Sequence, residues 1–217
     1  MRRSPLLAGA ILILGLTVAC SGNPEPEPAP LPPPPPPPPA QTDTGDAARR
    51  EAEASRLCER AIAAIEAGNY DTARDLLRQV LRDYPGTECA RRAPGEIERA
   101  DVLDAITARV HFEFNLARIT DEAATILQRK ADVLRDRPNV QITIEGHCDE
   151  RGSIEYNQAL GLRRAESAKR YLVSLGLDAA RFQTVSFGEE RPLVAASGES
   201  AWGQNRRDEF RITAGDM

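Results

Sequence analysis

The sequence predicts an α/β (α+β) sandwich with a mixed sheet over residues 108–217. An α-helical segment (46–107) and a disordered Pro-rich linker precede it. Three observations carry this reading. Apolar residues alternate at Val110, Phe112 and Phe114 and again at Val140, Ile142 and Ile144, the period of half-buried strands. Between the two strands, Ala124, Leu127, Ala131 and Leu134 recur at the helical period. Twelve of the 17 prolines crowd between residues 24 and 39, where no packed core can form.

The N-terminus reads as an export address. Arg2 and Arg3 give a positive start, Leu6 to Ala19 is an apolar run, and Cys20 follows. That run is short for a membrane span and suits a signal peptide over residues 1–19. Leu16-Thr17-Val18-Ala19-Cys20 resembles the lipobox of bacterial lipoproteins, with Thr17 where Leu is usual. The resemblance implies cleavage before Cys20 and acyl chains such as palmitate on it. Several chains anchor stably, because each buried methylene contributes about 0.8 kcal/mol. Ser21 in place of Asp implies an outer-membrane anchor, with the folded part facing the periplasm. Ordinary secretion, with Cys20 an incidental thiol, is the alternative.

Residues 20–45 then form a tether. Proline fixes φ and removes donors, so the run Pro32 to Pro39 favours polyproline II. At about 3.1 Å per residue the tether reaches roughly 75–80 Å. A ligand for an SH3-like domain is the other reading.

Helices follow. Ala47 to Ala67 carries Leu57, Ala61, Ile62 and Ile65 on one stripe, and Gly68-Asn69 breaks it. Asp71 to Leu81 turns Ala73, Leu76, Leu77 and Val80 inward, and Tyr84-Pro85-Gly86 stops it. A third helix is expected around Glu88–Ala105, interrupted near Pro94-Gly95. The spacing of Gly68, Tyr70, Ala73, Leu77, Val80 and Pro85 resembles a tetratricopeptide repeat. In that register Cys58 and Cys89 sit on helices that pack side by side. A disulfide is then possible in an exported protein, with two free thiols as the alternative.

From Arg109 the expected order is strand (110–114), helix (121–137), strand (140–144), helix (155–175), then strands at 182–187 and 209–213. The first two strands are separated by a helix. They must therefore be parallel or have another strand between them.

The chemically informative stretch is Ile144 to Arg170. Charged residues crowd a strand end and a helix start, where free N–H groups favour a carboxylate ligand. Its motifs are Gly146-His147-x-Asp149-Glu150-Arg151-Gly152, Glu155-Tyr156-Asn157-x2-Leu160-Gly161 and Arg163/Arg164-Ala165. Phe112-x-Phe114 stands before them. Ser186-Phe187-Gly188-Glu189-x2-Pro192 and Asn205-Arg206-Arg207 stand after. Together they resemble the OmpA-like peptidoglycan-binding domain, and within it the peptidoglycan-associated lipoproteins, over residues of about 109–214. The resemblance implies a non-catalytic anchor between outer membrane and cell wall, with a TolB-like periplasmic partner and a role in envelope integrity and cell division. It implies that Asp149 and Arg164 hold the diaminopimelate of the peptidoglycan stem peptide. Cys148, Glu150, Gly152 and Arg206 would stand beside them.

The physics agrees with the pair. The free end of diaminopimelate is a zwitterion, so a carboxylate takes its ammonium and a guanidinium its carboxylate. Charge-assisted bonds of about 1.5–3 kcal/mol each, less binding entropy, suggest affinity on the order of micromolar. Two departures from the family stand out: Asn115 where Asp is frequent, and Cys148 where Thr is frequent.

Other functions fit less well. A formal charge of −5 and 5 % aromatics argue against nucleic-acid binding. His147, Cys148 and Asp149 are adjacent on a strand end, so their side chains diverge and form no catalytic set. No nucleophile or zincin motif is present, no cofactor is expected, and His111, His147, Cys148 and Asp149 do not make a metal site. The alternative to an anchor is an interaction scaffold. There the helical repeat binds a protein partner and the C-terminal domain only localises it.

Overall fold

A computed structural model describes residues 44–215. The signal peptide, Cys20 and nearly all of the 20–45 tether lie outside the described residues.

Three helices open the chain: α1 (Thr44–Glu66), α2 (Tyr70–Asp83) and α3 (Glu88–Thr107). Their shared core is built from small side chains, among them Ala54, Ala61, Ala90 and Ala93 around Leu77 and Val80. Small residues bury little area each, so other ties matter. Cys58 of α1 and Cys89 in the first turn of α3 are disulfide-bonded, their Cα atoms 6.0 Å apart. Arg74 of α2 donates to Asp101 (2.9 Å) and Asp104 (3.3 Å) of α3. The interruption expected at Pro94-Gly95 is absent: α3 runs unbroken with Pro94 inside it. Packing of Ala90 and Ala93 and the disulfide outweigh the lost backbone bond.

The last turns of α3 enter the main core, where Val102 and Ile106 pack with the sheet residues. Lys130 of α4 (Asp121–Arg135) bolts that junction. Its fully buried ammonium donates to the carbonyls of Ala105 (3.1 Å), Ile106 (2.8 Å) and Ala108 (2.5 Å), which end α3. A cation at a helix C-terminus also meets the negative end of its dipole.

The sheet has four strands: β1 (Val110–His111), β2 (Gln141–His147), β3 (Phe182–Gly188) and β4 (Arg207–Ala214), in the order β1-β4-β2-β3. β2 and β3 are parallel and the other pairs antiparallel, a mixed sheet. β4 separates β1 from β2, one of the two arrangements the helical crossover allows. β1 is shorter than the expected 110–114. Phe112 still donates to Arg206 O, but the chain then turns through Asn115 at φ +57°. A short helix, α6 (Glu199–Asn205), was not expected.

Ile142, Ile144, Phe182 and Phe210 pack under α4 and α5 (Ile154–Ser174). Alternate residues Glu145, His147, Glu209 and Arg211 occupy the opposite face. One contact sets the site. A Cβ on Gly146 would stand 2.0 Å from Gly161 O, and one on Gly161 2.3 Å from Ser186 Oγ. Two glycines thus let α5 sit directly on β2, bringing the next turn, with Arg164, beneath the end of that strand.

Candidate functional site

Where β2 ends, the turn Cys148–Gly152, the Phe114–Asn115 loop and the start of α5 enclose a cleft of about 210 Å³. Asp149, Arg164, Cys148 and Gly152 all line it, with Arg151, Tyr156 and Leu160.

Ser153 caps α5 by accepting from Tyr156 N (3.2 Å). Asn157 works one turn deeper. Its buried amide donates to Asp149 O (3.2 Å) and Arg151 O (3.3 Å), holding the turn in shape. Gly152 adopts φ +123°, a conformation that side chains resist.

Asp149 is buried and its carboxylate is crowded with donors. Oδ1 accepts from Arg151 N (3.1 Å) and Nε (3.0 Å). Oδ2 accepts from Arg151 Nη2 (2.7 Å) and Arg206 Nη1 (3.3 Å). Burial pushes its pKa up, but the Arg151 and Arg206 bonds outweigh that and hold it below the usual range. Arg151 is flanked on both faces, 3.8 Å from the ring centre of Phe114 and 4.1 Å from that of Trp202. Such stacking orients a guanidinium while leaving its edge for a carboxylate.

Arg164 differs. Its side chain is fully buried. It donates to the carbonyls of Leu116 (2.9 Å), His147 (2.8 Å) and Glu113 (3.1 Å), and lies 3.4 Å from Cys148 Sγ. Among the described residues no carboxylate forms an ion pair with it. Asp208, fully buried on β4, has no hydrogen-bond partner for either oxygen. Burial raises its pKa far above the usual carboxylate value, which favours the neutral acid. Asp208 and Asp149 act on the guanidinium only through space, and among the described residues no carboxylate is bonded to it.

Cys148 donates to Asn157 O (3.3 Å), and burial pushes its thiol up to about 11, so it is a neutral, poorly nucleophilic group. Two residues read into the ligand set lie elsewhere. Glu150 turns away from the cleft to accept from Ser197 Oγ (2.6 Å) and Trp202 Nε1 (3.0 Å). Arg206 lies behind Asp149, tied to Phe112 O (3.0 Å) and Glu199 (2.7 Å). Glu150 points outward because side chains diverge along the turn, and Arg206 acts on the site through Asp149 and, by way of Glu199, through Arg151. Arg151, Phe114 and Trp202 were missed. Arg151 lay within the charged turn, but nothing local marks Trp202, some fifty residues on. Asn115 does reach the cleft, where it accepts from Tyr156 OH.

The OmpA family model matches residues 111–206, a span holding the whole cleft. The chain is 46 % identical to the peptidoglycan-associated lipoprotein of Agrobacterium fabrum over 99 residues, which cover 46 % of this chain and 56 % of that one. It thus spans little more than half of that relative's length. With the peptidoglycan-associated lipoprotein of Haemophilus influenzae the identity is 37 % over 147 residues, covering 68 % and 87 %. Among solved structures, the peptidoglycan-associated lipoprotein from Burkholderia pseudomallei is 34 % identical, with a TM-score of 0.48, covering 61 % of this chain and 98 % of its own. With nearly nine-tenths of the Haemophilus protein matched at this identity, the chain belongs to the peptidoglycan-associated lipoprotein family.

Proposed function

We propose that this chain is a non-catalytic anchor that holds the cell wall by binding diaminopimelate of peptidoglycan stem peptides in the cleft. One observation carries the reading: Arg164 is a buried cation with hydrogen bonds only to neutral groups, opening on a cleft. A buried charge without a hydrogen-bonded counter-charge is costly, and a ligand carboxylate supplies one. The ammonium on the same ligand carbon goes to Asp149. Of the two cations already there, Arg151 is the more exposed and yields, while Arg206 stays.

In this reading residues 1–19 are a signal peptide and Cys20 carries the lipid. Residues 20–45 space the folded part from the outer membrane, 46–107 are a helical module, and 108–217 hold the wall. A TolB-like periplasmic protein is the proposed protein partner, and kinship with the peptidoglycan-associated lipoproteins supports the link to peptidoglycan.

Co-sedimentation with purified sacculi tests the proposal. Wild type pellets, and Asp149→Ala and Arg164→Gln stay in the supernatant while keeping their circular dichroism. Equal pelleting of all three sinks the site assignment, and release of soluble muropeptides would indicate an enzyme instead.

A further inference from the structure

On the sheet face opposite the helices, Glu145 and His147 of β2 meet Glu209 of β4. One donor atom from each lies within 4.8 Å of the others. Glu145 and Glu209 are direct cross-strand partners, and His147 projects two residues along on the same face. His147 is 1 % exposed and Glu145 6 %. Neither imidazole nitrogen, nor Glu145 Oε2, has a hydrogen-bond partner. Native proteins rarely leave buried polar atoms unpaired, and three together call for a ligand.

The surroundings hold the carboxylates in place. Glu145 Oε1 accepts from Arg211 Nε (2.8 Å), and Glu209 Oε1 from Arg207 Nε (2.8 Å) and Arg109 Nε (3.3 Å). Glu209 Oε2 has only Arg211 Nη2, at 3.5 Å. Each carboxylate is thus oriented through one oxygen, with the other free or loosely held, as outer-shell donors do for ligating carboxylates.

We propose that Glu145, His147 and Glu209 form a binding site for a divalent transition-metal cation of the zinc class. One imidazole and two carboxylates match the ligand preferences of Zn²⁺, leaving a position for water. Mg²⁺ and Ca²⁺ favour oxygen-only sets and larger coordination shells, so they compete poorly. Three guanidiniums surround two carboxylates, so no surplus negative charge draws cations in. Affinity comes from the donor atoms, and Arg211 opposes it. No local spacing in the sequence marks this set, because Glu209 reaches it only through β4 pairing.

The test is calorimetric titration of the full chain with Zn²⁺, repeated with Co²⁺ read by visible d–d absorption. The expected result is one equivalent bound, unaffected by excess Mg²⁺. Glu209→Gln and Glu145→Gln each weaken it at least tenfold. Glu209 is partly exposed, so its variant keeps the fold even if a His147 variant does not. Arg211→Gln binds Zn²⁺ several-fold more tightly. Absence of saturable binding, or wild-type affinity in both glutamine variants, overturns the site and leaves the unpaired atoms to water.

Discussion

Replacing Arg164 by lysine keeps the charge and removes the fork. In the structure Nε, Nη1 and Nη2 each hold a different backbone carbonyl, at 2.9, 2.8 and 3.1 Å. A lysine ammonium projects from one point and reaches one of these at best. Losing two hydrogen bonds from a charged donor, at about 1.5–3 kcal/mol each, costs roughly 3–6 kcal/mol before relaxation. For a folded body of this size that lowers Tm by roughly 6–24 °C. Glu113 and Leu116 flank the Phe114–Asn115 wall of the cleft, so this loop loosens first. In the proposed complex the ligand carboxylate also loses one charge-assisted hydrogen bond, worth about 1.5–3 kcal/mol, or roughly 10- to 150-fold in Kd. Differential scanning fluorimetry and calorimetric titration with meso-diaminopimelate read the two effects separately. Unchanged affinity in a folded Arg164→Lys protein would refute the role given to the guanidinium.

Four other outcomes follow. A stem peptide whose free diaminopimelate carboxyl is amidated should bind at least tenfold more weakly in calorimetry, because a carboxamide brings no charge to Arg164. Asp149 has a folded pKa below its ordinary 3.8, so its contribution is complete above that pH and vanishes as pH falls through the lower folded value. The difference in Tm between wild type and Asp149→Asn should therefore be constant from pH 7 to 5 and shrink below about 3.8. Gly161→Ala should unfold or strongly destabilise the chain, since the new methyl would meet Ser186 Oγ at 2.3 Å and Gly146 O at 2.8 Å; a thermal melt decides it. Reduction of Cys58–Cys89, which close a 31-residue separation, should remove about 3–4 kcal/mol in the chain-entropy model, read as a drop in chemical-denaturation midpoint of the helical segment's signal.

Much of the architecture was legible because burial on one face imposes period. Val110 with Phe112, and Ile142 with Ile144, declared strands. Leu127, Ala131 and Leu134 declared a helix. Lone polar and aromatic residues carry no period, so α6 and the placement of Trp202 over Arg151 could not be read. β1 stops early for a related reason. Phe114 alternates correctly with Phe112, yet it leaves the sheet to stack on Arg151. Asp149 and Arg164 were found through an ordered set of motifs, and both reach one cleft. What remained hidden was their pairing state. Whether a carboxylate already holds two arginines, or an arginine holds none, depends on residues distant in sequence. Asp208 and Glu209, adjacent on β4, face opposite sides of the sheet, and only strand register reveals that.

The most direct test is a crystal structure of the domain with a stem peptide ending in meso-diaminopimelate. The expected complex has the ligand's free carboxylate on Arg164 within hydrogen-bond distance and its ammonium on Asp149, with Arg151 swung aside. Density for the peptide on any other surface, or the ligand's ammonium rather than its carboxylate beside Arg164, would contradict it.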